Sequence, residues 1–210
     1  SSYNVGLAMT FSRKVKEVID DPSYQGVFNT RLHPDFRGAE EWGIHNARGG
    51  YVAAGVGGGI TGKGAHILAI DDPIKNAEEA DSPDTREKLK DWYDSTAYTR
   101  LAPGGGVLLI QTWWHDDDLA GRLQVAMSQD EDADQFVVVK YPAIAETDEF
   151  LDHDTDLIVP TQPENGILLR RAGEALHPDR YDIQKLNRIK KTIRPRFWSA
   201  LYQQNPVPDD

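Results

Sequence analysis

The feature that most constrains this chain is an apolar run ending in two carboxylates: Ala65-His66-Ile67-Leu68-Ala69-Ile70, then Asp71-Asp72-Pro73. Near-continuous apolar character over so few residues suits a buried parallel strand. A second run of this kind, Val107-Leu108-Leu109-Ile110, ends in the polar pair Gln111-Thr112. Between the two lies a strong helix start, with Ser82 as N-cap and Pro83 at the first helical position. That helix is expected to run to about Leu101, where Pro103-Gly104-Gly105 stops it. Strand, helix and strand in this order put the chain in the α/β class.

The flanking sequence extends the alternation. Residues before Asn4 read as a strand end, and Asn4 caps a helix whose Val5, Leu7, Ala8, Phe11, Val15, Val18 and Ile19 mostly share one face. Asp20-Asp21-Pro22 stops it, and a loop through Leu32-His33-Pro34-Asp35 is expected next. Trp42-Gly43-Ile44-His45 and Tyr51-Val52-Ala53-Ala54 flank Ala47-Arg48-Gly49-Gly50 as a hairpin. Further on, 117–127 reads as a helix and Phe136-Val137-Val138-Val139-Lys140 as a third strand. Residues 145–173 read as an acidic, Pro-containing connecting loop. Two helices, 182–192 and 195–203, lead to a Pro-rich exit at Asn205-Pro206-Val207-Pro208. Trp92, Tyr93, Phe197, Trp198 and Tyr202 fall at helical spacings and are expected in the core rather than as base-stacking platforms. The organisation expected is therefore 1–144, a connecting loop 145–173, and a C-terminal helical region 174–210.

Composition excludes several classes. With 39% hydrophobic and 27% charged residues, a real core is within reach of these 210 residues. No apolar run approaches the ~18 residues of a membrane-spanning helix. The absence of cysteine rules out a disulfide framework and thiolate metal ligands. A net charge of −11 argues against a surface coated in nucleic acid throughout, yet the charge is uneven. Residues 179–196 hold Arg180, Lys185, Arg188, Lys190, Lys191, Arg194 and Arg196, whereas 130–156 is strongly acidic.

Gly57-Gly58-Gly59-Ile60-Thr61-Gly62-Lys63-Gly64 nearly matches the phosphate-loop pattern GxxxxGK[ST], but fails it twice. Gly64 has no hydroxyl for a magnesium ion, and a strand is expected next where phosphate binding needs a helix N-terminus. The bland alternative is a flexible strand-to-strand connection. An intermediate reading presents Lys63 toward a nucleotide held by a neighbouring subunit, as an arginine finger would be.

The Ile67–Asp72 run has the form of a Walker B strand. Its first carboxylate, Asp71, would hold Mg²⁺ through water. Asp72 would project beyond the carboxyl end of the sheet, where ligands of open α/β folds bind, and orient or deprotonate the attacking water. Gln111 and Thr112, at the end of the other apolar run, are placed to sense a γ-phosphate. The plainer reading of all four is ordinary strand ends. His115-Asp116-Asp117-Asp118 reads as a helix start, with acids favoured in the first turn, or as metal ligands.

Taken in order, these stretches resemble the large terminase subunit of tailed bacteriophages. The matching segments are Gly59–Gly64 running into Ile67–Pro73, Tyr98-Thr99-Arg100-Leu101, Ile110–Leu119, Gly173-Glu174-Ala175-Leu176-His177-Pro178 and Ala200-Leu201-Tyr202-Gln203-Gln204-Asn205-Pro206. The resemblance implies part of an ASCE-type P-loop NTPase core with a mainly parallel sheet and a C-terminal helical lid region. It implies ATP and Mg²⁺ as cofactors, with Asp71 as metal-binding acid, Asp72 as catalytic carboxylate, and Gln111 and Thr112 as coupling motif. Residues 182–204 would form the lid. The implied partners are double-stranded DNA, the portal protein, the small terminase subunit and further copies in a ring, in host cytoplasm and transiently on the procapsid. The family's phosphate loop and nuclease acids have no counterpart in these residues, and Trp113 stands where many relatives carry Arg. The chain alone is therefore expected to bind ATP weakly or not at all and to be inactive. Two other readings compete: a metal-dependent nuclease using Asp71, Asp72, His115 and Asp116-Asp117-Asp118, and a non-catalytic DNA- or portal-binding module using the basic segment 179–196.

Overall fold

The computed structural model describes residues 1–60, 62–155 and 157–207. Thr61 of the glycine-rich stretch, Asp156 of the acidic stretch and Pro208 of the Pro-rich exit lie outside the described residues. The chain divides into two compact units, Ser1–Gln111 and Thr112–Asp210.

The first unit opens with α1 (Val5–Asp20), capped as expected by the Asn4 side chain, which accepts from the Leu7 amide at 2.9 Å. Asp21 then caps a short α2 (Pro22–Val27). The loop expected through Pro34 is instead the start of β1 (Leu32–Arg37). It pairs antiparallel with β2 (Glu41–Ile44), which forms the expected hairpin with β3 (Gly50–Val52). Proline is tolerated in β1 because this is an edge strand of the sheet order β1-β2-β3. Ile19, Leu32 and Trp42 pack beneath the sheet with Tyr24, Ile44 and Tyr51. The buried Trp42 indole N–H donates to Ser12 Oγ at 3.0 Å, tying α1 to β2.

β4 (Ala65–Asp71) and β5 (Leu101–Ile110) form a parallel pair. They are joined by α3 (Ala77–Asp81), α4 (Pro83–Trp92), a π-turn over Tyr93–Ala97 and a 3₁₀ turn over Tyr98–Arg100. Ser82 caps α4, its Oγ accepting from the Thr85 amide, and Trp92 and Tyr93 are buried as the helical spacing predicts. The strands are less buried than their apolar character predicts. Leu68 and Ile70 are covered, but Ile67, Leu108 and Ile110 are 74%, 51% and 53% exposed. A sheet of two long strands has a packed face and an open face, so only alternate residues enter the core.

In the second unit α5 (Leu119–Gln129) is capped by Asp118. The third strand expected over 136–140 is absent: these residues carry no regular secondary structure and join no ladder, and Val137, Val138 and Val139 are exposed. β-branched residues favour an extended backbone, but a strand exists only where a partner completes its hydrogen bonds. The stretch 145–173, expected as loop, carries β6 (Glu149–Asp152), β7 (Leu157–Val159) and β8 (Ile167–Arg170), antiparallel in the order β7-β6-β8. Arg170, 7% exposed, makes this acidic sheet tenable: its guanidinium meets both Glu149 carboxylate oxygens at 2.6 and 2.8 Å and the Pro142 carbonyl at 2.9 Å.

α6 (Ile183–Thr192), capped by Asp182, and α7 (Pro195–Phe197), continuing as a π-turn over Trp198–Tyr202, complete the unit. Their core is Ala175, Leu186 and Trp198, with Trp198 stacked on Tyr202 at 5.0 Å. The fold is thus mixed α/β; the parallel part is the β4–β5 pair with the parallel bridges of Ser2 to Asp71 and Gly55, while both three-stranded sheets are antiparallel, against the mainly parallel sheet expected. The β2–β3 connection is too short for the crossover that parallel pairing demands.

Candidate functional site at the ends of the parallel strands

The β4–β5 register pairs Ile70 with Leu109 and Asp71 with Ile110, so the two strands finish level. One residue on, the Asp72 amide donates to the Ile110 carbonyl at 2.9 Å. Asp71, Asp72 and Gln111 therefore emerge together at the carboxyl ends of adjacent strands, all half-buried. Thr112 follows as the first residue of the second unit.

The N-terminal residues hold this corner from the other side. Ser2 bridges in parallel to Asp71 and to Gly55, the Asp71 amide donates to the Ser1 carbonyl at 2.8 Å, and the Tyr3 amide donates to the Asp72 carbonyl at 3.1 Å. Asp72 is thus tethered by backbone bonds through both its N–H and its C=O. It sits at φ +40°, in the left-handed region that costs an ordinary residue about 1–2 kcal/mol and that Asp tolerates better than most. The turn takes the chain sharply out of the strand at the point where ligands of open α/β sheets bind.

Burial raises the Asp71 pKa above the ordinary aspartate value, and the neighbouring Asp72 charge adds to the effect, while the Ser1 amino group opposes it. A desolvated carboxyl beside a second carboxylate is one whose charged form a nearby cation would favour. Tyr51 of β3 is drawn into the same electrostatic neighbourhood. Its phenol pKa is raised by burial first and then by the Asp71 charge. Nothing in the sequence spacing marks Tyr51, because only the fold brings residues 51 and 71 together.

Lys63 goes elsewhere. Its Nζ lies 2.7 and 2.8 Å from the two oxygens of Glu41, at an exposed position. The glycine-rich stretch runs straight into β4 with no helix between, and Gly57 and Gly62 take φ of +74° and +79°. It has the form of a connection, not of a phosphate cradle.

The His115 cluster serves the start of α5. Asp118, 1% exposed, accepts from the Gly121 amide at 3.1 Å, and Asp117 pairs with Arg122 at 2.9 Å. His115 Nδ1 lies 2.9 Å from the Asp117 amide and 2.8 Å from Asp116 Oδ1; it accepts from the first when neutral at that nitrogen and donates to the second when protonated. Among the described residues, no three His, Asp or Glu side chains gather as a metal-holding group. Trp113 meets a cation that spacing did not reveal: Lys140 Nζ stands 4.3 Å from its ring centroid. Desolvation lowers the Lys140 pKa, and Glu146 opposes the shift.

Among the described residues no helix is long and apolar enough to cross a membrane. The family model described as terminase large subunit, T4likevirus-type, N-terminal, matches residues 4–166, the greater part of the sequence. No curated protein matches the chain.

Proposed function

Because this chain belongs to the T4-like family of large terminase subunits, and so to phage DNA packaging, we propose that its β4–β5 corner forms the catalytic rim of the packaging ATPase. The observation that carries the reading is the level finish of the two parallel strands, Asp71 opposite Ile110, with the Asp72 amide bonded to the Ile110 carbonyl. This arrangement suits a Walker B pair beside a sensor strand.

In this reading Asp71, its pKa raised first by burial and then by the Asp72 charge, would hold the Mg²⁺ of bound MgATP, which would supply compensating positive charge there. Asp72, held in its tight turn, orients the attacking water and receives its proton. Gln111 and Thr112, following the end of β5, hydrogen-bond the γ-phosphate or that water. The core is read as of the P-loop NTPase kind, in keeping with the family that the chain matches. The sequence holds no complete GxxxxGK[ST] loop, so these residues are read as the catalytic rim and not as the main grip on the phosphates. The paired Lys63 is not part of this machinery unless Glu41 releases it. The packaging motor supplies the partners: double-stranded DNA, portal, small subunit and neighbouring copies, met on the procapsid in host cytoplasm.

The test is DNA-stimulated ATP hydrolysis by the packaging motor assembled with this chain. Asp72→Asn is expected to lower kcat by about 10²-fold or more while nucleotide still binds, as loss of a general base does. Asp71→Asn is expected to raise the Mg²⁺ concentration needed for half-maximal rate. Undiminished hydrolysis in both variants would sink the proposal.

A further inference from the structure

Residues 179–196 carry seven bases against Asp179 and Asp182, a local charge of +5 in a chain of −11, leaving −16 for everything else. The structure sorts these bases. Leu186 and Ile189 of α6, and Ile193 just after it, turn toward the Ala175–Trp198 core. Lys185, Arg188, Lys191 and, just beyond the helix, Arg194 are exposed. At helical pitch Gln184, Asn187, Arg188 and Lys191 share the face opposite that apolar stripe, with Lys185 at its border. Asp182 accepts from the Lys185 amide as N-cap, so the one acid next to the helix is occupied by the backbone. None of Lys185, Arg188, Lys191 or Arg194 forms an ion pair with a carboxylate among the described residues.

We infer that this outer face of α6 is a phosphate-backbone contact for double-stranded DNA, which deepens the packaging reading by naming a surface that grips its substrate. An ordinary solvated helix in so acidic a protein would interleave its charges, as α4 does with the Asp84–Lys88 pair. α6 keeps one sign instead. Its cations at 185, 188 and 191 step about 4.5 Å apart along the axis, against a duplex carrying one charge per ~1.7 Å. The neutral members of the face, Gln184 and Asn187, are few, so the surface grips phosphate and reads little sequence. That suits a protein that must hold any DNA passed to it. The acidic remainder of the chain confines the contact to this face by repulsion.

The experiment measures binding of the full chain to a short labelled duplex across a salt series, without nucleotide, so that it stands apart from the ATPase test. The wild type is expected to show a steep fall of log K with log salt, about −0.9 per phosphate neutralised. The triple variant Lys185→Gln, Arg188→Gln, Lys191→Gln is expected to lose about 2–3 from that slope. A control of equal charge change, Lys14→Gln, Lys75→Gln, Lys88→Gln, is expected to keep it. The charge-retaining variant Lys185→Arg, Lys191→Arg is expected to bind as the wild type does, which separates lost charge from lost folding. Equal losses in stripe and control variants overturn the proposal. So does absence of salt-dependent duplex binding, including the case where the chain binds polyglutamate but not DNA.

Discussion

Lys63 Nζ sits 2.7 and 2.8 Å from the two carboxylate oxygens of Glu41, joining the glycine-rich stretch before β4 to the first residue of β2. That pairing occupies the lysine of the near-miss phosphate loop. It is a surface pair, 45% and 36% exposed at its two side chains, so its worth is modest. Glu41→Gln is expected to cost no more than about 1 kcal/mol in urea unfolding and to cost less at high salt. A larger loss that survives high salt would mean the pair does more than tie two surface segments.

Asp71 yields a pH-dependent prediction with a definite sign. Its folded pKa is raised, chiefly by burial. Its protonated form therefore contributes stability that is fully present below the unfolded value of about 3.9 and lost as pH rises through the folded pKa. Asp71→Asn is expected to raise Tm at neutral pH without divalent cation, with the gain shrinking toward acid pH. Added Mg²⁺ is expected to stabilise the wild type and leave the variant unmoved. A variant that melts lower at neutral pH, by calorimetry, would contradict the assignment.

Arg170 and Glu149 hold the acidic sheet of the second unit with a nearly buried pair, 8% and 15% exposed at their side chains. Removing one partner leaves the other charge without compensation. Arg170→Met is expected to destabilise the chain by about 3–5 kcal/mol, and adding Glu149→Gln to recover much of that loss. Denaturant midpoints of the single and double variants measure both.

Gly121 sits where α5 leaves its Asp118 cap. A β-carbon there would come within 1.6 Å of the Asp116 carbonyl oxygen, which is backbone and has little freedom to yield. Gly121→Ala gains about 1 kcal/mol in helix propensity. It is nevertheless expected to destabilise the protein, because the Asp117–Asp118 turn must open. A thermal melt equal to or above that of the wild type would show that the turn yields easily.

What the sequence by itself determined is local or periodic. Asn4 and Ser82 cap their helices because capping joins a side chain to an amide three residues on, and such a bond is written in adjacent positions. The β2–β3 hairpin and the acids ending β4 are legible for the same reason. Tertiary structure alone decided the rest. It made β1 a strand despite Pro34, built β6–β8 in an acidic stretch around Arg170, and left 136–140 unpaired despite four β-forming residues. It also paired Lys63 with Glu41, set Tyr51 near Asp71 and turned Asp72 left-handed between Ile110 and Tyr3. A helix closes its hydrogen bonds within its own segment, whereas a strand, an ion pair or a shared electrostatic neighbourhood needs a partner that only the folded chain brings near.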